Sequence, residues 1–165
     1  GSVTDLSAYH TSNVNISGGS VTSLSAYQTS NVDISGGSVT GLSAEDTSTV
    51  DISGVGSVSI LYTYQTSTVD IFGGSVTRLY AKDTSTVTLH GYDFRATAGL
   101  ILDGDRVLGT GALTGKWYGQ DDTMWSMTIS DHSAGATIRV VSVPEPCSLG
   151  LLALGGLALI KRRRG

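Results

Sequence analysis

Three carboxylates recur at a near-fixed interval in this chain: Asp33, Asp51 and Asp70, with Asn15 before them and Thr88 after. If those positions stack, the acids stand in a row on one outer face. Such a row repels itself by a few tenths of a kcal/mol per contact, roughly, and serves solubility and the avoidance of wrong pairings. Its sharper use would be a weak calcium site, which needs about six to eight oxygens. The calcium-solenoid pattern G-G-x-G-x-D is absent. Asp103 with Asp105, or Asp121 with Asp122, are pairs of the kind from which a glycosidase draws its two working carboxylates. Adjacent acids in turns are common, however, and no sequence neighbour would raise one pKa. His10, His90 and His132 are isolated and lack metal-ligand spacing. One cysteine, Cys147, allows neither a disulfide framework nor a zinc site. No G-x-S-x-G and no phosphate loop occurs. We therefore assign no catalytic, cofactor-binding or metal-binding residue and no cofactor, and expect a protein that is not an enzyme. A carbohydrate-active enzyme stays open as an alternative, because β-helical polysaccharide lyases assemble their sites from separate coils.

The elements that position these residues are legible as a repeat. "GSVTDLSAYHTSNVNISG" (Gly1–Gly18) returns at Gly19, at Gly37, after the single inserted Val55 at Gly56, and at Gly74, closing at Gly91. Within each unit Val3 and Leu6 form one apolar cluster and Val14 and Ile16 another, with equivalents Val32 and Ile34, Val50 and Ile52, Val69 and Ile71, Val87 and Leu89. Period-2 spacing of β-branched residues predicts short strands. Glycines at the unit boundaries supply corners. No apolar stripe runs at helical spacing, and each Gly would cost a helix about 1 kcal/mol. One unit cannot bury its own apolar side, but stacked copies can. The expected fold is all-β: a β-solenoid, parallel and β-helix-like, over residues 1–91, with flattened coils of two main strands. At a strand spacing of about 4.8 Å, five coils make a rod of roughly 24 Å.

Outward columns are predicted too. Thr11-Ser12 recurs as Thr29-Ser30, Thr47-Ser48, Thr66-Ser67 and Thr84-Ser85, expected to form a solvated corner with hydroxyls bonded along the column. Stacked threonines also serve ice binding, but Asn13 and Asn31 interrupt a flat Thr-x-Thr face in the early copies.

From Tyr92 the repeat stops. Residues 92–142 hold both tryptophans, a hairpin signal at Asp103-Gly104 and the alternating runs "WSMTIS" and "ATIRVV", separated by "DHSAG". These predict a β-rich cap over the raw end of the solenoid. Trp117 and Trp125 are expected in the core of that cap, with a sugar-stacking platform as the alternative.

Residues 143–165 read "VPEPCSLGLLALGGLALIKRRRG". Leu149–Ile160 is twelve uninterrupted apolar or Gly residues, about 18 Å as a helix. A bilayer core is about 30 Å, so the run would span only a thinned membrane, extended to 148–161 with its basic flank snorkelling. Lys161, Arg162, Arg163 and Arg164 would stay cytoplasmic. Without these four, the chain has six basic residues against fourteen acidic, a net charge of −8. So acidic a body argues against nucleic acid as a partner. Pro144 and Pro146 would hold the preceding segment extended and exposed.

Val143-Pro144-Glu145-Pro146, then the apolar run, then the arginines, resembles the PEP-CTERM sorting signal in pattern, order and position. The resemblance implies export, with transient anchoring in the inner membrane and processing by an exosortase-type enzyme, in bacteria that make exopolysaccharide. The final location would be the cell surface or extracellular matrix. Ser/Thr/Gly-rich repeats are also similar to repeat regions of such proteins. The body is then expected to be a structural or adhesive repeat protein with exopolysaccharide as a partner. Alternatives are the carbohydrate-active β-helix enzyme and a calcium- or ice-binding surface protein. Because Gly1 opens a repeat unit, a signal peptide is expected upstream, with room for further repeats.

Overall fold

The computed structural model describes residues 1–97, 99–118 and 124–142. In-register stacking of the repeat organises it. The described strands are β1 (Ser2–Ala8), β2 (Asn13–Ala26), β3 (Asn31–Ala44), β4 (Thr49–Ile52), β5 (Ser57–Thr63), β6 (Thr68–Ile71), β7 (Ser75–Ala81) and β8 (Thr86–Ala96). There follow β9 (Leu100–Asp103), β10 (Arg106–Gly109), β11 (Gly111–Trp117), β12 (Met124–His132) and β13 (Thr137–Val141). Every strand pair from β1 to β8 is parallel and, apart from a shift at the Ser17–Gly36 corner, puts a residue opposite its own copy: Val21 on Val39 on Val58 on Val76, and Val32 on Val50 on Val69 on Val87. The expected all-β solenoid is what the chain forms, with the anticipated columns inside. Ile34, Ile52, Ile71 and Leu89 are fully buried, as are Leu42, Leu61 and Leu79. Each such side chain contributes about 1.5–3 kcal/mol of burial.

Val55, the one residue out of register, is 82% exposed. It bulges at a corner closed by the Gly56 N–H donating to the Ser53 carbonyl at 3.1 Å, with Gly54 at φ +57. Pairing resumes at once, with Ser57 opposite Ser38. An insertion at a corner leaves both strands in step.

One expectation about the outer columns is corrected. Only the threonine of each Thr-Ser pair faces out. Ser30, Ser48, Ser67 and Ser85 are fully buried at the inside of the turn. Ser85 Oγ lies 2.8 Å from Thr63 Oγ1 and also donates to the Lys82 carbonyl. The other coils carry Ala where Thr63 stands, so Ser30, Ser48 and Ser67 have no hydroxyl to reach and make no hydrogen bond within the described chain. Serine is small enough to fill the corner despite that cost.

Beyond residue 91 the chain adds one more rung. β12 pairs parallel with β7 (Ile129 opposite Leu79), and β13 pairs parallel with β8 (Ile138 opposite Val87). Between them, residues 133–136 form a turn above those of the repeat. Antiparallel strands then close this end: β10 pairs β13, β9 pairs β10, and β11 pairs β12 and the Gly91–Ala96 end of β8. The Asp103-Gly104 turn joins β9 to β10, as its sequence suggests. Trp117 and Trp125 stack at 4.4 Å, are 3% and 8% exposed, and form the core of the cap rather than a platform. Among the described residues no helix is long and apolar enough to cross a membrane. The segment 148–161 expected to do so lies outside them.

Candidate functional site

Alternation puts the acidic column where the sequence places it. Asn15, Asp33, Asp51, Asp70 and Thr88 are successive partners on the outer face. Asp70 Oδ1 lies 2.9 Å from His90 Nε2, and the His90 ring stacks on Phe72 at 4.1 Å. Burial, then the Asp70 and Asp33 charges, raise the Asp51 carboxyl above its usual range, with His90 opposing. Among the described residues no group of three or more His, Cys, Asp or Glu is placed to hold a metal ion.

The raised Asp51 carboxyl has a consequence for stability. A carboxyl whose folded pKa exceeds its unfolded value destabilises the fold once it is charged. Asp51→Asn should therefore raise stability by about 0.5 kcal/mol at neutral pH. The advantage should shrink as pH falls through the raised folded pKa and vanish below the ordinary value of 3.8. Paired thermal melts across that range check both the sign and the window.

The remaining acids and histidines are dispersed. Asp103 and Asp105 sit at the β9–β10 turn, where Asp105 Oδ2 is 4.0 Å from Arg139 Nε. His132 Nε2 lies 2.9 Å from the Ala136 carbonyl, and His10 occupies a turn in the first coil. Asp121, Asp122, Cys147, the motif Val143–Pro146 and the basic group Lys161–Arg164 lie outside the described residues.

A second outer column, which the repeat pattern does not reveal, organises the turns. His10, Gln28, Asp46, Gln65 and Asp83 all have positive φ, between 55 and 59, a conformation that non-Gly residues seldom adopt. The next coil satisfies the backbone of each of the first four. His10 N–H donates to Gln28 Oε1 (2.8 Å), Gln28 N–H to Asp46 Oδ2 (3.0 Å), and Gln65 N–H to Asp83 Oδ2 (3.0 Å). Asp46 N–H donates to Gln65 Oε1 in the same way. Thr29, Thr47, Thr66 and Thr84 hydroxyls donate to the carbonyls of the same turn residues one coil back. The stacked threonines are thus bonded along the column, through backbone carbonyls. An acceptor side chain ahead of each Thr-Ser was the sequence signal for this lock.

Beside that column lies a groove of about 350 Å³ lined by Ser43, Glu45, Tyr62, Tyr64, Gln65 and Asp83. Two columns create it, one within the strands and one just past their ends. One stacks Ser25, Ser43, Tyr62, Tyr80 and Asp131, so the outer surface steps up from small serines to a wall of tyrosine. Tyr62 and Tyr80 stack at 4.8 Å, and Tyr64 lies parallel to Tyr62 at 6.2 Å. The Glu45 N–H bonds the Ala26 carbonyl and the Tyr64 N–H the Ala44 carbonyl, which sets Tyr64 one coil above Glu45. In the first two coils that column holds Tyr9 stacked on Tyr27 at 4.9 Å. Glu45 interrupts it. Ser43 Oγ donates to Glu45 Oε1 at 2.8 Å, holding the carboxylate at the foot of the Tyr62 wall. Burial, then Tyr62 and Glu45, push the Tyr64 hydroxyl above its usual range, with Lys82 opposing and Asp83 adding, so it remains a donor at neutral pH. The Lys82 ammonium bonds Asp131, whose carboxyl it holds below the usual range.

No protein-family model matches this chain, and neither a curated protein nor a solved structure matches it.

Proposed function

We propose that the chain is an exported structural and adhesive repeat protein, delivered to the cell surface or extracellular matrix through its C-terminal segment. The observation that carries this reading is the order of three elements over residues 143–165. Pro-Glu-Pro comes first, then an apolar run through Ile160, then Lys161 and three arginines. A protease that must select this substrate needs an extended, accessible stretch, and two prolines around Glu145 supply one. The apolar run holds that stretch at the inner membrane, and the basic cluster fixes its orientation. An exosortase-type enzyme is the processing partner. The body suits a matrix role because its parallel columns make a stiff rod whose outer face is rich in hydroxyl, amide and carboxylate groups. Exopolysaccharide is the partner such a face would meet.

Replacing Pro144, Glu145 and Pro146 together by alanine, in a host that has an exosortase, tests the assignment. Uncleaved precursor should accumulate in the membrane. Stability of the solenoid should change by less than about 0.5 kcal/mol, as for exposed linker positions generally. Processing at the normal rate would overturn the sorting role.

A further inference from the structure

The solenoid carries a groove whose walls are aromatic and whose polar groups are already aimed. One ring face of Tyr62 is covered by Tyr80, while on the other side its column partner is Ser43, too short to cover a ring. At the foot of that uncovered face stands the Glu45 carboxylate, with one oxygen taken by Ser43 and the other without a partner in the described chain. Asp83 uses Oδ2 to accept from the Gln65 N–H, leaving Oδ1 available. The Gln65 Oε1 is committed to Asp46 N–H, which orients the amide nitrogen as a donor. Lys82, whose charge acts on the Tyr64 hydroxyl, is committed to Asp131.

We propose that this groove is a saccharide-binding site that takes a pyranose unit bearing no negative charge. The proposal rests on the reading of the rod as a partner of polysaccharide and names where contact is made and with what charge class. A pyranose presents one face of axial C–H groups and a rim of hydroxyls. The C–H face fits the open side of Tyr62, where dispersion and the negative ring face favour it. The hydroxyl rim fits Glu45 and Asp83 as acceptors and Gln65 and the Tyr64 hydroxyl as donors. A volume of about 350 Å³ is at the low end of small-molecule sites, which run from about 300 to 1,000 Å³. Two carboxylates, neither paired with a cationic side chain among the described residues, set the charge selection. They repel a uronate and attract an amino sugar. No other coil offers this arrangement, since coils one and two have Ser7 and Ser25 in place of a tyrosine and coil five has Lys82 in place of Tyr64.

Titrating the purified full chain in detergent by calorimetry with three tetrasaccharides, of glucose, glucosamine and galacturonic acid, tests this. Glucosamine should bind about fivefold more tightly than glucose, and galacturonate should give no measurable heat. Tyr62→Ala should weaken glucose binding about tenfold or more. Ser43→Tyr extends the Tyr62–Tyr80 stack by one ring, so it should preserve or raise the melting temperature while abolishing binding. Glu45→Gln should lower the preference for glucosamine over glucose about twofold, with Asp83 supplying the remainder. Absence of binding by all three sugars, tightest binding by galacturonate, or parental binding in Ser43→Tyr would overturn the proposal. None of these results touches the sorting role, which is read separately from processing of the Pro144–Pro146 variant.

Discussion

Ile52→Asp is expected to abolish the cooperative thermal transition of the solenoid. Ile52 is fully buried between Ile34 and Ile71 in the column that runs the length of the repeat. The solenoid interior is filled by the apolar columns described above, so the new carboxylate would meet methyl groups and no partner. Burying an unpaired charge costs several kcal/mol in practice, a large share of a stability that is typically only about 5–15 kcal/mol. The adjacent Asp51 is the internal control. It faces out, and its replacement by asparagine should stabilise. One residue separates a disabling change from a mildly favourable one, because successive side chains of a strand point to opposite faces. A melt of Ile52→Asp that matches the parent would mean that the stacking register is wrong.

Gly37→Ala should be a strongly damaging methyl addition at a corner. Gly37 has φ +74, and a Cβ there would stand 2.7 Å from the Gly19 carbonyl oxygen and 2.8 Å from the Gly18 carbonyl carbon. Both are backbone atoms of the coil beneath, between the paired residues Ser17 and Ser20, so they cannot swing aside as a flexible side chain would. Left-handed backbone alone costs an L-residue about 1–2 kcal/mol. Forcing two coils apart adds about 1–3 kcal/mol of overpacking. Gly104 separates the two contributions. Its φ is +61, but no atom lies within 4 Å of the place a methyl group would take, so Gly104→Ala should lose only about 1 kcal/mol. Gly18 has neither positive φ nor a close neighbour, and Gly18→Ala should melt near the parent. Denaturant titration of the three variants gives the order, and equal losses would show that corner spacing does not limit the fold.

Much of this structure was legible because a repeat stacked in register pairs each residue with its own copy. Period-2 alternation at Val32-Asp33-Ile34 assigns faces, the 18-residue interval assigns partners, and Val55 is legible as the one residue out of step. The same logic placed the acidic column of Asp33, Asp51 and Asp70 outside. It failed at the turns. There Thr29 and Ser30 are neighbours in sequence but part company, the threonine reaching a carbonyl one coil back while the serine fills the interior. Strand alternation does not extend through a turn with positive φ at Gln28, and no pattern of polar letters says which hydroxyl turns inward.

The order of residues along the chain is enough to set the β-solenoid, its register and the composition of each column, and it holds the segment 143–165 on which the export reading stands. What closes the rod, and where its surface opens, was settled by folding in three dimensions. β12 and β13 complete a rung on β7 and β8 although they copy almost no letters of the repeat, because pairing needs only backbone groups in phase and apolar residues inward, as Ile129, Ile138 and Val140 are. The groove is likewise invisible along the chain. Ser43, Glu45, Tyr62, Tyr64 and Asp83 become neighbours only when three coils stack, and the hollow is the difference in height between a serine and a tyrosine in one column.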